Sequence, residues 1–380
     1  MDTEEIFEYA NSKYNAMLAM LRKLAPIPAP SGNEDKRVEF LNAYLKELGF
    51  ENIRIDDAKN VIVPFIIAPK APIVVAMAHT DVVFPDTTML PFSEDESHIY
   101  CPGIADDTAR VVQMAFAFKY FIEKNIKLNT NFLFVANSSE EGLGNLKGCR
   151  EICKKYGNQI ATLISADAET GEIINKAVGS HRYRIKLETE GGHSWIDFGN
   201  QNAIVHCARL ISDLSSIQIP AYPNAKTTFN VGTVNGGTSV NTIAQNAEFL
   251  YEYRSDYAPS LAYMKDAFEK TISAHKSDEV KISVEMLGER PCSGNIDPKR
   301  QAKLEELAEA ALYDTTGLSP TFCSGSTDAN IPLSLGIPAL TIGTCISEGM
   351  HKREEKLEKA SLAPGLALLI NLLLRLNSAI

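Results

Sequence analysis

Three short apolar runs in this chain each end in residues that bind metals or move protons. Ile73–Ala78 leads into His79-Thr-Asp81, Asn131–Ala136 into Ser138-Ser-Glu140-Glu141, and Ala161–Ala166 into Asp167. Imidazole and carboxylate donors suit zinc and related divalent cations. Two loops hold further candidates, Asp106 in Gly103-Ile-Ala-Asp-Asp107 and His351 in Gly349-Met-His351. Residues two apart on an extended strand end point the same way, so Asp81 is expected to orient the His79 ring and fix its tautomer. Neighbouring Glu140 and Glu141 cannot share one role, so one is expected to bind metal while the other handles protons. Five carboxylates in one cleft (Asp81, Asp106, Glu140, Glu141, Asp167) would repel one another, and several would protonate, unless two dications compensated them. Taken singly these motifs are ordinary: a Glu-Glu pair is usually solvated surface, and Asp106-Asp107 alone could cap a helix. Their joint placement at strand ends points to a dinuclear site.

The elements that must position them follow from periodicity. Continuous apolar strands alternate with helical segments near 107–123 and 144–156, the pattern of a largely parallel sheet covered on both faces. Ile6–Leu24 has helical periodicity, and Ser31-Gly-Asn-Glu34 has the spacing of a capping box for a second helix. The same alternation returns late, with helices near 298–314 and 354–376 around a strand at 338–342. Between them lie strand 181–190, helix 202–216, strands 227–234 and 246–254, helix 259–275 and strand 280–287. This β-α-β-β-α-β order is the ferredoxin-like arrangement. The reading is therefore an α/β catalytic domain in two parts, 1–178 and 291–380, with an inserted lid or dimerisation domain at 179–290. In an open α/β sheet, ligands bind beyond the carboxyl ends of the strands, where His79, Glu140 and Asp167 are expected to meet.

The composition excludes several other classes. At 380 residues the chain suggests about two domains. A net charge of -11 leaves no basic footprint for nucleic acid or anionic lipid. The acidic start Met1-Asp-Thr-Glu-Glu5 does not read as a signal peptide, and the apolar run Leu366–Leu374 is short for a membrane span. Seven cysteines without CxxC spacing do not read as a disulfide framework. A cytoplasmic protein is expected, with neither nucleic acid nor membrane as a partner.

The ordered segments Ala78-His-Thr-Asp-Val82, Gly103-Ile-Ala-Asp-Asp107, Ser139-Glu-Glu-Gly142, Ser165-Ala-Asp167, Gly232-Thr-Val-Asn-Gly-Gly237, Gly325-Ser-Thr-Asp328 and Gly349-Met-His351 carry a resemblance over essentially the whole chain. The sequence resembles the zinc-dependent aminoacylase, carboxypeptidase and tripeptidase family of co-catalytic metallopeptidases, and most of all its peptidase T-like aminotripeptidase branch. That resemblance implies a phosphorylase/hydrolase-like catalytic domain and two Zn2+ ions, with Co2+ or Mn2+ as substitutes. It implies that Asp106 bridges the two ions, that His79 and Asp167 hold one, and that Glu141 and His351 hold the other. It makes Glu140 the general base and Asp106–Asp107 a cis peptide. A water shared by the ions would serve as hydroxide nucleophile.

From the inserted domain, the resemblance implies His193, in Glu190-Gly-Gly-His193, as the donor to the tetrahedral oxyanion. It places Asn241 and Arg254 against substrate, and in dimeric relatives the histidine comes from the partner subunit. On sequence alone Arg254 has a rival reading as a surface ion pair beside Asp256. The chain departs from the family where Cys101-Pro-Gly103 replaces a Gly-Arg-Gly and where Met350 precedes the last histidine. Glu169 rivals Asp167 as a ligand, but Asp167 directly ends the apolar run and is preferred. Aspartate there is commoner among di- and tripeptidases than among deacylases. The expected activity is a homodimeric exopeptidase for short peptides, and the alternative is an N-acyl-amino-acid amidohydrolase using the same site.

Overall fold

The computed structural model describes residues 3–379. The first part of the chain forms α1 (Thr3–Leu24), α2 (Asp35–Glu47), β1 (Arg54–Ile55), β2 (Val61–Phe65), β3 (Ile73–His79), α3 (Arg110–Glu123), β4 (Asn131–Asn137), α4 (Lys147–Tyr156), β5 (Ile160–Glu169) and β6 (Glu172–Ala177). The middle adds β7 (Gly179–Glu188), α5 (Ala203–Ser215), β8 (Thr227–Gly236), β9 (Asn246–Ser255), α6 (Ala258–His275) and β10 (Lys281–Arg290). The last part contributes α7 (Pro298–Thr316), β11 (Thr321–Gly325), α8 (Asn330–Ser334), β12 (Ala339–Cys345) and α9 (Leu362–Ala379). Two compact units result, one from 1–177 with 294–380 and the other from 178–293.

The first unit is built on an eight-stranded sheet in the order β1-β2-β4-β3-β5-β12-β6-β11. Its central strands β4, β3, β5 and β12 are parallel, while β2 and β6 pair antiparallel to their neighbours β4 and β12. Because side chains alternate across a strand, Val74, Ala76 and Ala78 join the core formed with α1, α3 and α9. Ile73, Val75 and Met77 pack with α4 and α8 on the other face. Burial on both faces is why β3 and β4 read as unbroken apolar runs.

The late helix begins further along than the sequence pattern suggests. Residues 356–358 form a short strand, and α9 starts only at Leu362. The stretch Lys359–Ala379 is long and apolar enough to cross a membrane, yet 78% of its apolar window is buried, with α9 packed on α1, α3, α7 and β12. It is a core helix of this unit. Among the described residues no disulfide joins any of the seven cysteines.

The second unit is a four-stranded antiparallel sheet in the order β8-β9-β7-β10. In module order this is 2-3-1-4, the ferredoxin-like arrangement expected from the sequence. Helices α5 and α6 cover one face, where Tyr183, Ile185 and Leu187 meet Leu210, Leu214, Met264 and Phe268. The opposite side chains of β7, including Arg182, Arg184 and Lys186, form ion pairs with Glu252, Glu285 and Glu248.

Candidate active site and its metal-binding cluster

The strand order brings the predicted residues together. His79 ends β3 and pairs in register with Asn137 at the end of β4, while Met77 pairs with Ser165 of β5. The chain leaving β4 thus carries Glu140 and Glu141 past one side of His79, and β5 delivers Asp167 on the other. Ligand atoms of His79, Glu140 and Asp167 lie within 4.8 Å of one another, as do those of His79, Asp106 and Glu141. Asp106 stands between two imidazoles, with Oδ1 3.0 Å from His79 Nε2 and Oδ2 3.0 Å from His351 Nε2. The same His351 nitrogen is 3.0 Å from Glu141 Oε1. The Asp106–Asp107 peptide is cis.

The rival Glu169 is engaged elsewhere. Its carboxylate accepts from the Ser347 amide and hydroxyl, so it stays outside both ligand groups while Asp167 joins one. His351 reaches the site from a hairpin between short strands 347–348 and 356–358, and the latter pairs with 98–100 just ahead of the Asp106 loop. Two chain segments far apart in sequence are joined there.

Several supporting residues escaped the sequence reading. Glu355, four positions after His351 and buried, accepts the amides of Gly103, Ala105 and Asp106 at 2.8, 2.9 and 3.0 Å. The Ser31–Glu34 capping box does not form. Instead Ser31 Oγ donates to Asp81 Oδ2 at 2.6 Å, and Glu34 accepts the Ser139 amide and hydroxyl. The same spacing that signals a cap here serves the loops around the site. Buried Arg37 donates to the Thr80 carbonyl and to Thr108 Oγ1, spanning the His79 and Asp106 loops.

Asp81 meets both the His79 ring and the glutamate pair. His79 Nδ1 lies 3.1 Å from the Asp81 backbone carbonyl and 3.5 Å from its carboxylate. The carboxylate is committed to two successive amides, Glu140 N to Oδ1 and Glu141 N to Oδ2, both at 2.9 Å. Asp81 therefore fixes the backbone of the glutamate pair more directly than it fixes the imidazole.

The electrostatics are those of crowded acids. Burial, with Asp106 and Glu140 nearby, pushes Glu141 up to about 7. Asp106 and Glu141 draw His351 up to about 10. Burial opposes ionisation of Asp106, but His351 and His79 hold it well below the usual carboxylate range. The short Nε2···O contacts bring imidazole nitrogens and carboxylate oxygens together in one cluster. The donor set of imidazoles and carboxylates fits divalent cations.

The second unit holds the remaining predicted residues. His193, exposed on short strand 192–193, accepts the Trp195 and Ile196 amides at Nδ1, at 3.2 and 3.4 Å. With Nδ1 accepting, the neutral ring carries its proton on Nε2. His193 pairs in register with Thr242, next to Asn241, and Asn241 accepts the Ser239 hydroxyl. Arg254 forms a bidentate ion pair with Glu252, at 2.9 and 3.0 Å. The suggested partner Asp256 instead accepts the Lys226 amide.

Residues 75–375 match the model of the peptidase family M20/M25/M40. The chain belongs to this family. As an M20-family member it is a metal-dependent hydrolase of peptide or amide bonds. It is 25% identical over 291 residues to an uncharacterized protein, YqjE, of Bacillus subtilis, covering 74% of each chain. It is 22% identical over 384 residues to a succinyl-diaminopimelate desuccinylase of Stenotrophomonas maltophilia, covering 93% of this chain and 97% of that one. Among solved structures, a tripeptidase of Staphylococcus aureus superposes with a TM-score of 0.75 at 22% identity, covering 94% of this chain and 97% of the other. The M20 family is the one the sequence motifs resemble, and the fold of its members is shared.

Proposed function

We propose that this M20-family chain is a dinuclear zinc exopeptidase acting on short peptides. The observation that carries the dinuclear reading is Asp106, whose two oxygens each face a different imidazole at 3.0 Å. One ion would be held by His79, Asp106 and Asp167, and the other by Asp106, Glu141 and His351. Bound there, the ions would supply Lewis acidity for the scissile carbonyl and lower the pKa of water. Glu140, whose amide Asp81 holds, takes a proton from the attacking water and passes it to the leaving nitrogen. Nε2–H of His193 donates to the tetrahedral oxyanion. Asn241 contacts the substrate, and Arg254 holds its carboxylate once released from Glu252.

The choice of peptides rests on Asp167, not Glu169, entering the cluster. The resemblance associates aspartate at that position with di- and tripeptidases. A second reading, N-acyl-amino-acid amidohydrolase, is favoured by relatives that include N-acetyldiaminopimelate deacetylases of Bacillus. Digestion of a di- and tripeptide library beside N-acetyl and N-succinyl amino acids separates the two. Efficient turnover of the acyl compounds alone would replace the peptidase reading with the amidohydrolase one.

A further inference from the structure

Arg110 is the first residue of α3 and is fully buried, 0% exposed. Its guanidinium donates to two carbonyls, Ala105 O through Nη1 and Ala168 O through Nη2, each at 2.6 Å. Those carbonyls belong to the residue before Asp106 and the residue after Asp167. Nη1 is also 3.4 Å from Asp107 Oδ1, and Asp107 Oδ2 accepts the His79 amide at 2.8 Å. Three separate segments, bearing His79, Asp106 and Asp167, therefore converge on one Arg110–Asp107 pair.

Burying a guanidinium is costly, and apolar residues of similar volume often replace buried ion pairs without loss of stability. Arg110 carries a further cost because its buried Nε has no hydrogen-bond partner among the described residues. A cation kept in that position, with both forks aimed at backbone beside candidate ligands, is placed for geometry rather than for packing. We propose that Arg110 is a positioning residue for the cation held by His79, Asp106 and Asp167. This rests on the dinuclear reading above. Arg110 touches no ligand side chain of that subsite. It sets the spacing of the backbone segments that carry them.

The two effects of removing Arg110 have opposite signs, which makes the proposal decidable. By charge alone, losing a cation beside a cation site strengthens metal binding. By positioning, it weakens binding, and loss of supporting partners around metal sites typically costs about 10–100-fold in affinity. The test is calorimetric titration of metal-stripped protein with Co2+, accompanied by visible absorption spectra, for wild type, Arg110→Met and Arg110→Lys. Thermal unfolding with and without Co2+ is measured in parallel. We expect Arg110→Met to bind one Co2+ about 10–100-fold more weakly, with the other less affected. Its gain in Tm on adding Co2+ should shrink, a change that a purely structural role would not produce, because that gain reports binding to the folded state. Arg110→Lys keeps the charge but cannot hold both carbonyls in one plane, so weakened binding and an altered spectrum are expected there too. Unchanged or tighter Co2+ binding in either folded variant overturns the proposal. Failure of both variants to fold would make Arg110 a scaffold residue and overturn it equally. Wild-type protein that binds fewer than two ions would instead defeat the dinuclear reading itself.

Discussion

Asp81→Asn is the most informative single change at this site. The side chain is fully buried, and its two oxygens serve two consecutive amides, those of Glu140 and Glu141. Asparagine keeps one oxygen and turns an NH2 group towards the other amide, so in either orientation one donor faces another. Losing a hydrogen bond to a charged acceptor costs about 1.5–3 kcal/mol, and the stranded buried donor adds about 1–3 kcal/mol. The backbone escapes this conflict only by moving Glu140 or Glu141 away from its present position. At about 1.4 kcal/mol per decade, a penalty of about 3–4 kcal/mol corresponds to a loss of about 100- to 1000-fold in kcat/KM. Ser31→Ala provides the graded control. It removes the 2.6 Å hydroxyl bond to Asp81 Oδ2 but leaves both amides paired, so about tenfold is expected from one such bond. The assay is steady-state peptide hydrolysis with metal content and apo-protein stability measured alongside. A folded, fully metallated Asp81→Asn enzyme within about fivefold of wild type, roughly 1 kcal/mol, would refute the positioning argument.

Chelation should abolish hydrolysis. Glu140→Gln should abolish it with both ions still bound, whereas Glu141→Gln should lose an ion; metal analysis showing the reverse would exchange the two roles. If the oxyanion donor comes from a partner subunit, inactive His193→Ala mixed with inactive Glu140→Ala should regain part of the activity, and verified mixed dimers without recovery would exclude action in trans. Arg254→Met should raise KM by about tenfold or more for substrates with a free carboxylate while sparing their amides, as expected for loss of a bidentate charged contact; equal effects on both would leave Arg254 to its ion pair with Glu252. Gly365→Ala tests the seating of α9, because a Cβ there would lie 1.7 Å from the Thr344 carbonyl. Overpacking of this kind costs about 1–3 kcal/mol or more, a Tm loss of roughly 2–10 °C by calorimetry, and an unchanged Tm would contradict the close helix–strand approach.

The ligand-bearing strand ends were legible because β3, β4 and β5 are buried on both faces, so each apolar run stops where polar chemistry begins. The middle module was legible too, since α5, α6 and four alternating strands each keep one polar face. What the sequence did not disclose depends on contacts between distant segments. Residues 356–358 have no strand signal of their own, and they become a strand because 347–348 and 98–100 pair with them on either side. Ser31 and Glu34 have capping spacing, but the stronger demands of Asp81 and Ser139 claim their side chains. Glu355 and Arg110 look like ordinary charges beside a turn and a helix. Only the fold shows that one gathers amides of the Asp106 loop and that the other joins a carbonyl of that loop to one of β5. Arg254 sits two residues from both Glu252 and Asp256, and strand geometry, with Asp256 already bound to Lys226 N, selected Glu252.

The position of β12 governs the order in which this chain can be completed. It lies between β5 and β6, strands that leave the ribosome well over a hundred residues earlier. A nascent chain ending near residue 300 has made all of the second unit and most of the large sheet, but it has a gap where β12 belongs. It also lacks the hairpin that carries His351 and the Glu355 carboxylate that holds the Asp106 loop. The proposed metal centre would therefore be completed later than the strands that carry most of its candidate ligands. The proposed ligand set would be complete only after residues 339–355 have been made and β12 has threaded back between β5 and β6, so a chain that stops near residue 300 would carry the earlier candidate ligands without His351.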